Sequence, residues 1–93
     1  MKREAILINT ARGEIVDETA LIRFLRAGRI AGAGLDVYAQ EPRVPSALKR
    51  MRQVVLLPHI GSATRETREG MARLAAKNLL AILDGKEPPN RVI

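Results

Sequence analysis

Residues 5–9, "AILIN", form a short unbroken apolar run, the pattern expected of a strand buried on both faces. The run breaks at Asn9, and the loop "TARGEIV" leads to Asp17, which is well placed to cap a helix. In "DETALIRFLRAG", Ala20, Leu21, Phe24 and Leu25 recur on one helical face and arginines on another. Gly28 stands where a helix usually ends in a left-handed residue. "RIAGAGLDVY" then predicts a second strand, whose small residues Ala31, Gly32, Ala33 and Gly34 permit close packing by a neighbour. "AQEPRVPSALKRMR" carries two prolines and predicts a loop with one helical turn. "VVLLPH" is a third fully apolar strand, ended by Pro58.

The spacing predicts a long helix from about Arg65 to Leu83. Thr64 and the acidic Glu66 and Glu69 favour its start, and Gly85 with Pro88–Pro89 stops it. Ala72, Ala75, Ala76, Leu79, Leu80 and Leu83 give it a broad apolar face. Strand, helix, strand, loop, strand, helix is an α/β order, and such joins imply parallel pairing. Two substantial helices cannot cover both faces of three apolar strands, so the pattern suggests half of a larger sheet.

Composition narrows this picture. A chain of 93 residues makes one domain at most, with a modest core. Apolar residues reach 46% and charged residues 28%, the balance of a globular rather than a disordered chain. With one Phe and one Tyr, the core is expected to be built of Ile, Leu, Val and Ala. The absence of cysteine excludes disulfides, thiol catalysis and cysteine-based metal sites, and it fits a cytoplasmic protein. No metal site is expected. The apolar N-terminal run is too short for a membrane span or a signal peptide. The net charge of +6 could attract nucleic acid or other anions, but the cations are scattered along the chain with no aromatics between them. Solvated helix faces account for them better than a nucleic-acid or membrane surface.

Four polar residues fall at the ends of these strands or just beyond. Arg12 follows the first, Asp36 closes the second, Glu41 lies in the next loop and His59 ends the third. Ligands of open parallel sheets bind beyond the carboxyl ends of the strands. A carboxylate near a histidine holds one tautomer, and an arginine can grip a substrate carboxylate through two hydrogen bonds. Plainer roles fit each residue alone: a turn at Arg12, a strand-end cap at Asp36, an exposed charge at Glu41 and a solvated His59. Ser62 and Thr64 most simply cap the following helix.

The words around these residues favour the chemical reading. "ILINTARGEIVDETAL", "AGAGLDVYAQEP" and "VVLLPHIGSATRETREGMARLAAKNL", in this order, resemble the D-2-hydroxyacid dehydrogenases. The last stretch is similar to their glyoxylate/hydroxypyruvate reductase branch. The resemblance covers essentially the whole chain and implies the C-terminal half of a Rossmann-type nucleotide-binding domain, with parallel strands and flanking helices. It implies hydride transfer between NAD or NADP and a small 2-keto or D-2-hydroxy acid. By the same resemblance Arg12 binds the substrate carboxylate, His59 carries the proton and Glu41 pairs with it. Asp36 meets the nicotinamide carboxamide, and Thr10, Ala11, Arg12, His59, Gly61 and Ser62 line the cofactor.

No G-x-G-x-x-G run occurs in the 93 residues, and the glycines of "AGAGLD" open no helix. The chain is therefore expected to be a C-terminal fragment, residues 1–93 forming a partial NAD(P)-binding domain without its glycine-rich half or a substrate domain. Little activity is expected of it alone. The first strand should expose an apolar edge that invites a homo-oligomer, and the long final helix and "PPNRVI", which by the resemblance return towards the substrate domain, are expected to be displaced or loose. A non-catalytic oligomerising remnant of the same fold is the alternative.

Overall fold

The computed structural model describes residues 1–93 and divides them into two compact units, Met1–Gly61 and Ser62–Ile93. The first unit holds three strands, β1 (Ile6–Asn9), β2 (Gly32–Leu35) and β3 (Val54–Leu56), all parallel, in the order β1-β2-β3. Ile6 pairs with Gly32, and Ala33 with Val54, which sets the register. The helix α1 (Glu18–Arg26) joins β1 to β2, and the short α2 (Ser46–Lys49) precedes β3.

The local signals act as expected at α1. The Asp17 carboxylate accepts from the Ala20 N–H at 2.9 Å, satisfying one of the free donors of the first turn. Gly28 follows the helix with φ of +60°. Leu21 and Leu25 turn inward and meet Ile30, Ala33, Leu35, Tyr38 and Leu48 in one buried cluster.

Strand alternation explains the cover. Leu7, Ala33, Leu35, Val54 and Leu56 belong to or pack on the cluster, whereas Ile6, Ile8, Val55 and Leu57 on the alternate positions are exposed by 44–66%. One face of the sheet is thus covered and the other is bare. In the middle of the sheet, Gly32 lies so close to the neighbouring chain that a Cβ there would sit 2.6 Å from the Gln53 carbonyl oxygen.

Two expectations need correction. The core is not purely aliphatic: Tyr38, the only tyrosine, is buried in it. Its hydroxyl lies against two main-chain carbonyls, so the polar end is satisfied and the ring can be buried at no loss of hydrogen bonding. The second and third strands are also shorter than their apolar runs. β2 stops at Leu35 because the residues after it turn to side-chain ties with the end of β3, and β3 stops at Leu56, ahead of Pro58 and a left-handed His59.

The second unit is dominated by α3 (Arg65–Leu83), with the bounds read from the sequence. Thr64 is its cap, accepting from the Thr67 N–H; Ser62 lies ahead of the cap and does not share that role, because the helix starts two residues too late for it. No residue of α3 is buried, and Leu79 and Leu80 remain 57% and 60% exposed. The tail is not wholly loose. Asn78 donates to the Asn90 side chain and accepts from its N–H, folding the tail back on the helix, while Val92 and Ile93 stay almost fully exposed.

Candidate active site

The carboxyl ends of β1 and β2 and the segment after β3 deliver Arg12, Asp36, Glu41 and His59 to one edge of the sheet. Arg12, Asp36 and Glu41 are each held by a main-chain tie, and His59 by the Glu41 carboxylate. Asn9, buried at the last position of β1, uses its whole amide on the next turn: Oδ1 accepts from the Ala11 N–H at 3.1 Å and Nδ2 donates to the Arg12 carbonyl at 2.9 Å. That double bond closes the turn carrying Thr10, Ala11 and Arg12, all three exposed. The break of the apolar run at Asn9 was the one visible sign of this role.

After Arg12 the chain makes a 3-10 turn, Gly13–Ile15, pressed against the segment following β2. A Cβ at Gly13 would fall 1.9 Å from the Tyr38 carbonyl carbon, so only glycine allows this approach. The Glu18 carboxylate accepts from the Ala39 N–H at 3.0 Å and ties the start of α1 to the same segment after β2. Arg12 thereby shares an open cleft of about 430 Å³ with Tyr38, Gln40, Glu41 and His59. Its Nη1 donates to the Ala11 carbonyl at 2.7 Å, and the rest of its donor fork points to no protein acceptor.

His59 Nδ1 lies 2.7 Å from Glu41 Oε2, and the other oxygen, Oε1, accepts from the Tyr38 N–H at 3.0 Å. A carboxylate at that distance makes Nδ1 the protonated nitrogen and leaves Nε2 free. His59 has φ of +59°, a conformation that strains a non-glycine residue. Asp36, only 3% exposed, holds the strained turn: Oδ1 accepts from the Ile60 N–H at 2.8 Å and Oδ2 from the Gly61 N–H at 2.7 Å. The sequence marked Asp36 as a strand-end cap or a cofactor contact. The structure adds that it fastens the turn bearing the histidine. Gly61 is exposed beside it, whereas Ser62 belongs to the second unit.

The hydrogen bond from His59 holds the Glu41 carboxyl below its usual range, helped by the Tyr38 N–H and by the nearby positive charges of His59 and Arg12. A carboxyl with a lowered folded-state pKa binds its proton more weakly when folded than when unfolded. Its contribution to stability is therefore full above the unfolded carboxylate pKa and is lost as pH falls through the lower folded value. Melting curves should show wild type more stable than Glu41→Gln at neutral pH, with the difference vanishing on acidification. A difference that persists unchanged in acid would contradict this.

A parallel sheet with flanking helices and its polar residues gathered beyond the carboxyl ends of the strands is the architecture of a nucleotide-binding domain. The pattern of the D-isomer specific 2-hydroxyacid dehydrogenase NAD binding domain matches residues 1–61, and the chain belongs to this NAD(P)-binding family. It is 60% identical over 92 residues to the glyoxylate reductase of Thermococcus litoralis, covering 99% of this chain and 28% of that enzyme. It is 59% identical over 93 residues to glyoxylate/hydroxypyruvate reductase B of Erwinia tasmaniensis, covering 99% of this chain and 29% of that enzyme. Among solved structures, a glyoxylate reductase from Paecilomyes thermophila superposes with a TM-score of 0.93 at 42% identity, over 99% of this chain and 28% of that one. The NADPH-dependent glyoxylate/hydroxypyruvate reductase of Sinorhizobium meliloti, solved with NADP and malonate, gives 0.83 at 50% identity over 86% of this chain and 25% of that one. The chain thus spans about 28% of the length of the curated relatives it matches. No helix is long and apolar enough to cross a membrane.

Proposed function

We propose that these residues are the catalytic part of an oxidoreductase that transfers hydride between NAD(P)H and a small 2-keto or D-2-hydroxy acid such as glyoxylate or hydroxypyruvate. The observation that carries this reading is the His59–Glu41 pair at 2.7 Å in the cleft that Arg12 also lines. The names of the reductases it resembles supply the substrate class.

The site fits the nicotinamide end of the cofactor. Asp36 spends one hydrogen bond per oxygen on Ile60 and Gly61, and a carboxylate has about four lone-pair sites. The remaining acceptors suit a carboxamide N–H, with Thr10, Ala11, Arg12, His59 and Gly61 of the same unit forming the surroundings. The cofactor, when bound, supplies the hydride. Arg12 would release its bond to the Ala11 carbonyl and direct its fork to the substrate carboxylate, stabilising the negative charge that grows on the carbonyl oxygen. With Nδ1–H held by Glu41, the doubly protonated His59 would give its Nε2 proton to that oxygen during reduction, leaving the neutral Nδ1–H imidazole, which would take the proton back at Nε2 during oxidation. Glu41 keeps the imidazole in the tautomer and orientation that allow this.

Residues 1–93 are read as a partial nucleotide-binding domain. Without a glycine-rich loop among them to cradle the pyrophosphate, the chain alone should be inactive. The test is a chimera in which residues 1–93 replace the matching stretch of the Thermococcus litoralis glyoxylate reductase. The chimera should reduce glyoxylate with NADH or NADPH, and the isolated chain should not. An inactive but folded chimera would sink the reading of the site. Turnover by the isolated chain would sink the claim of inactivity.

A second reading, a non-catalytic oligomerising remnant, draws support from the bare face of Ile6, Ile8, Val55 and Leu57 and from the two unpaired edges of the sheet. Self-association is compatible with both readings, and an active chimera would decide for the enzyme.

A further inference from the structure

Tyr38 is bonded to Glu41 directly and to the chain two residues ahead of His59. Its hydroxyl lies 2.9 Å from the Leu57 carbonyl oxygen and 3.1 Å from the Leu35 carbonyl oxygen, at the point where β2 and β3 leave the ladder. Its single hydroxyl hydrogen is shared between these two acceptors. The Leu35 carbonyl has a second donor, the Leu57 N–H at 2.8 Å. The Leu57 carbonyl, two residues before His59, depends on Tyr38. The N–H of the same tyrosine holds Glu41 Oε1 at 3.0 Å. Tyr38 is 6% exposed, packed among Leu35, Leu21 and Leu48 in the core, so its hydroxyl cannot wander.

We propose that Tyr38 is a positioning residue for the His59–Glu41 pair: its hydroxyl anchors the Leu57 carbonyl and so places the imidazole where Nδ1 meets Glu41 and Nε2 faces the cleft. This rests on the proposed role of His59, but it makes a claim about geometry that holds whether or not turnover occurs. A phenylalanine would fill the same space. It would leave the Leu57 carbonyl without its partner, and the strained His59 turn would lose one of its restraints.

The chain has one histidine and one tyrosine, so each reports without overlap. Nitrogen NMR in the whole 93-residue chain, taken where the imidazole carries one proton, should show a single tautomer with the hydrogen on Nδ1. Tyr38→Phe should convert this to a mixture of both tautomers while the amide spectrum keeps the dispersion of a folded chain. Glu41→Gln is the control that removes the carboxylate directly. An undisturbed Nδ1–H tautomer in folded Tyr38→Phe would overturn the proposal, and an inactive chimera would leave it standing while refuting the reaction.

Should the Phe variant fail to fold, the wild-type chain decides. Burial pushes the Tyr38 hydroxyl above its ordinary pKa, and the negative charges of Asp36, Glu41 and Glu18 push the same way. Ionisation removes the shared hydrogen. The His59 nitrogen shifts should then move with the same alkaline midpoint as the tyrosinate absorbance. Imidazole signals that ignore tyrosine ionisation would refute the anchoring role.

Discussion

In the chimera with the Thermococcus litoralis enzyme, His59→Gln should lower kcat for glyoxylate reduction by roughly 100- to 10,000-fold, the usual worth of a positioned general acid. Glutamine can still donate an amide hydrogen to Glu41, so the pair keeps much of its form. It cannot titrate, so the alkoxide formed on hydride arrival must take its proton from water. Cofactor affinity should change little, because most of the contacts assigned to it come from Asp36 and from the turn after β1, which Asn9 holds independently of His59. Steady-state kinetics with a direct cofactor-binding measurement would separate the two effects. Reduction at the unsubstituted rate would defeat the proton-donor assignment.

The isolated chain should self-associate, with sedimentation at high concentration giving at least twice the 10.2 kDa of the monomer. The driving force is local and visible. The bare sheet face exposes Ile6, Ile8, Val55 and Leu57 together, and both β1 and β3 carry an unpaired row of main-chain groups. Covering these removes apolar area from water at about 25 cal/mol per Å² and pairs idle donors and acceptors. Ile8→Lys, at an outward position of β1, should push the equilibrium toward monomer without touching the buried cluster. A clean monomer in the unsubstituted chain would refute the association.

The elements that were legible in the sequence are those whose ends are set by nearby residues. α1 begins at its Asp17 cap and gives way before Gly28, and α3 begins at Thr64 and ends before Gly85, all within reach of local hydrogen bonding. β2 and β3 were overextended because their ends are set from far away. Asp36 accepts from residues 24 and 25 positions on, and the Tyr38 hydroxyl meets a carbonyl 19 positions on. The bare sheet face was foreseen as a shortage of helices, but which side chains it strands depended on the side that α1 covers.

The candidate site divides along the same line. Residue types and spacing brought Arg12, Asp36, Glu41 and His59 to attention, because a parallel sheet delivers the ends of its strands to one edge. Their order along the chain could not show that Glu41 reaches His59 at 2.7 Å, that Asp36 fastens the histidine's left-handed turn, or that Asn9, Gly13 and Tyr38 are its supports. These contacts join segments separated by loops whose paths the local pattern does not encode. The sequence by itself determined the parallel α/β order, the helix ends and the groups able to move a proton, since these depend on side-chain chemistry and near neighbours. Only the tertiary structure decided which of those groups meet, because a hydrogen bond forms at a distance that packing alone can set.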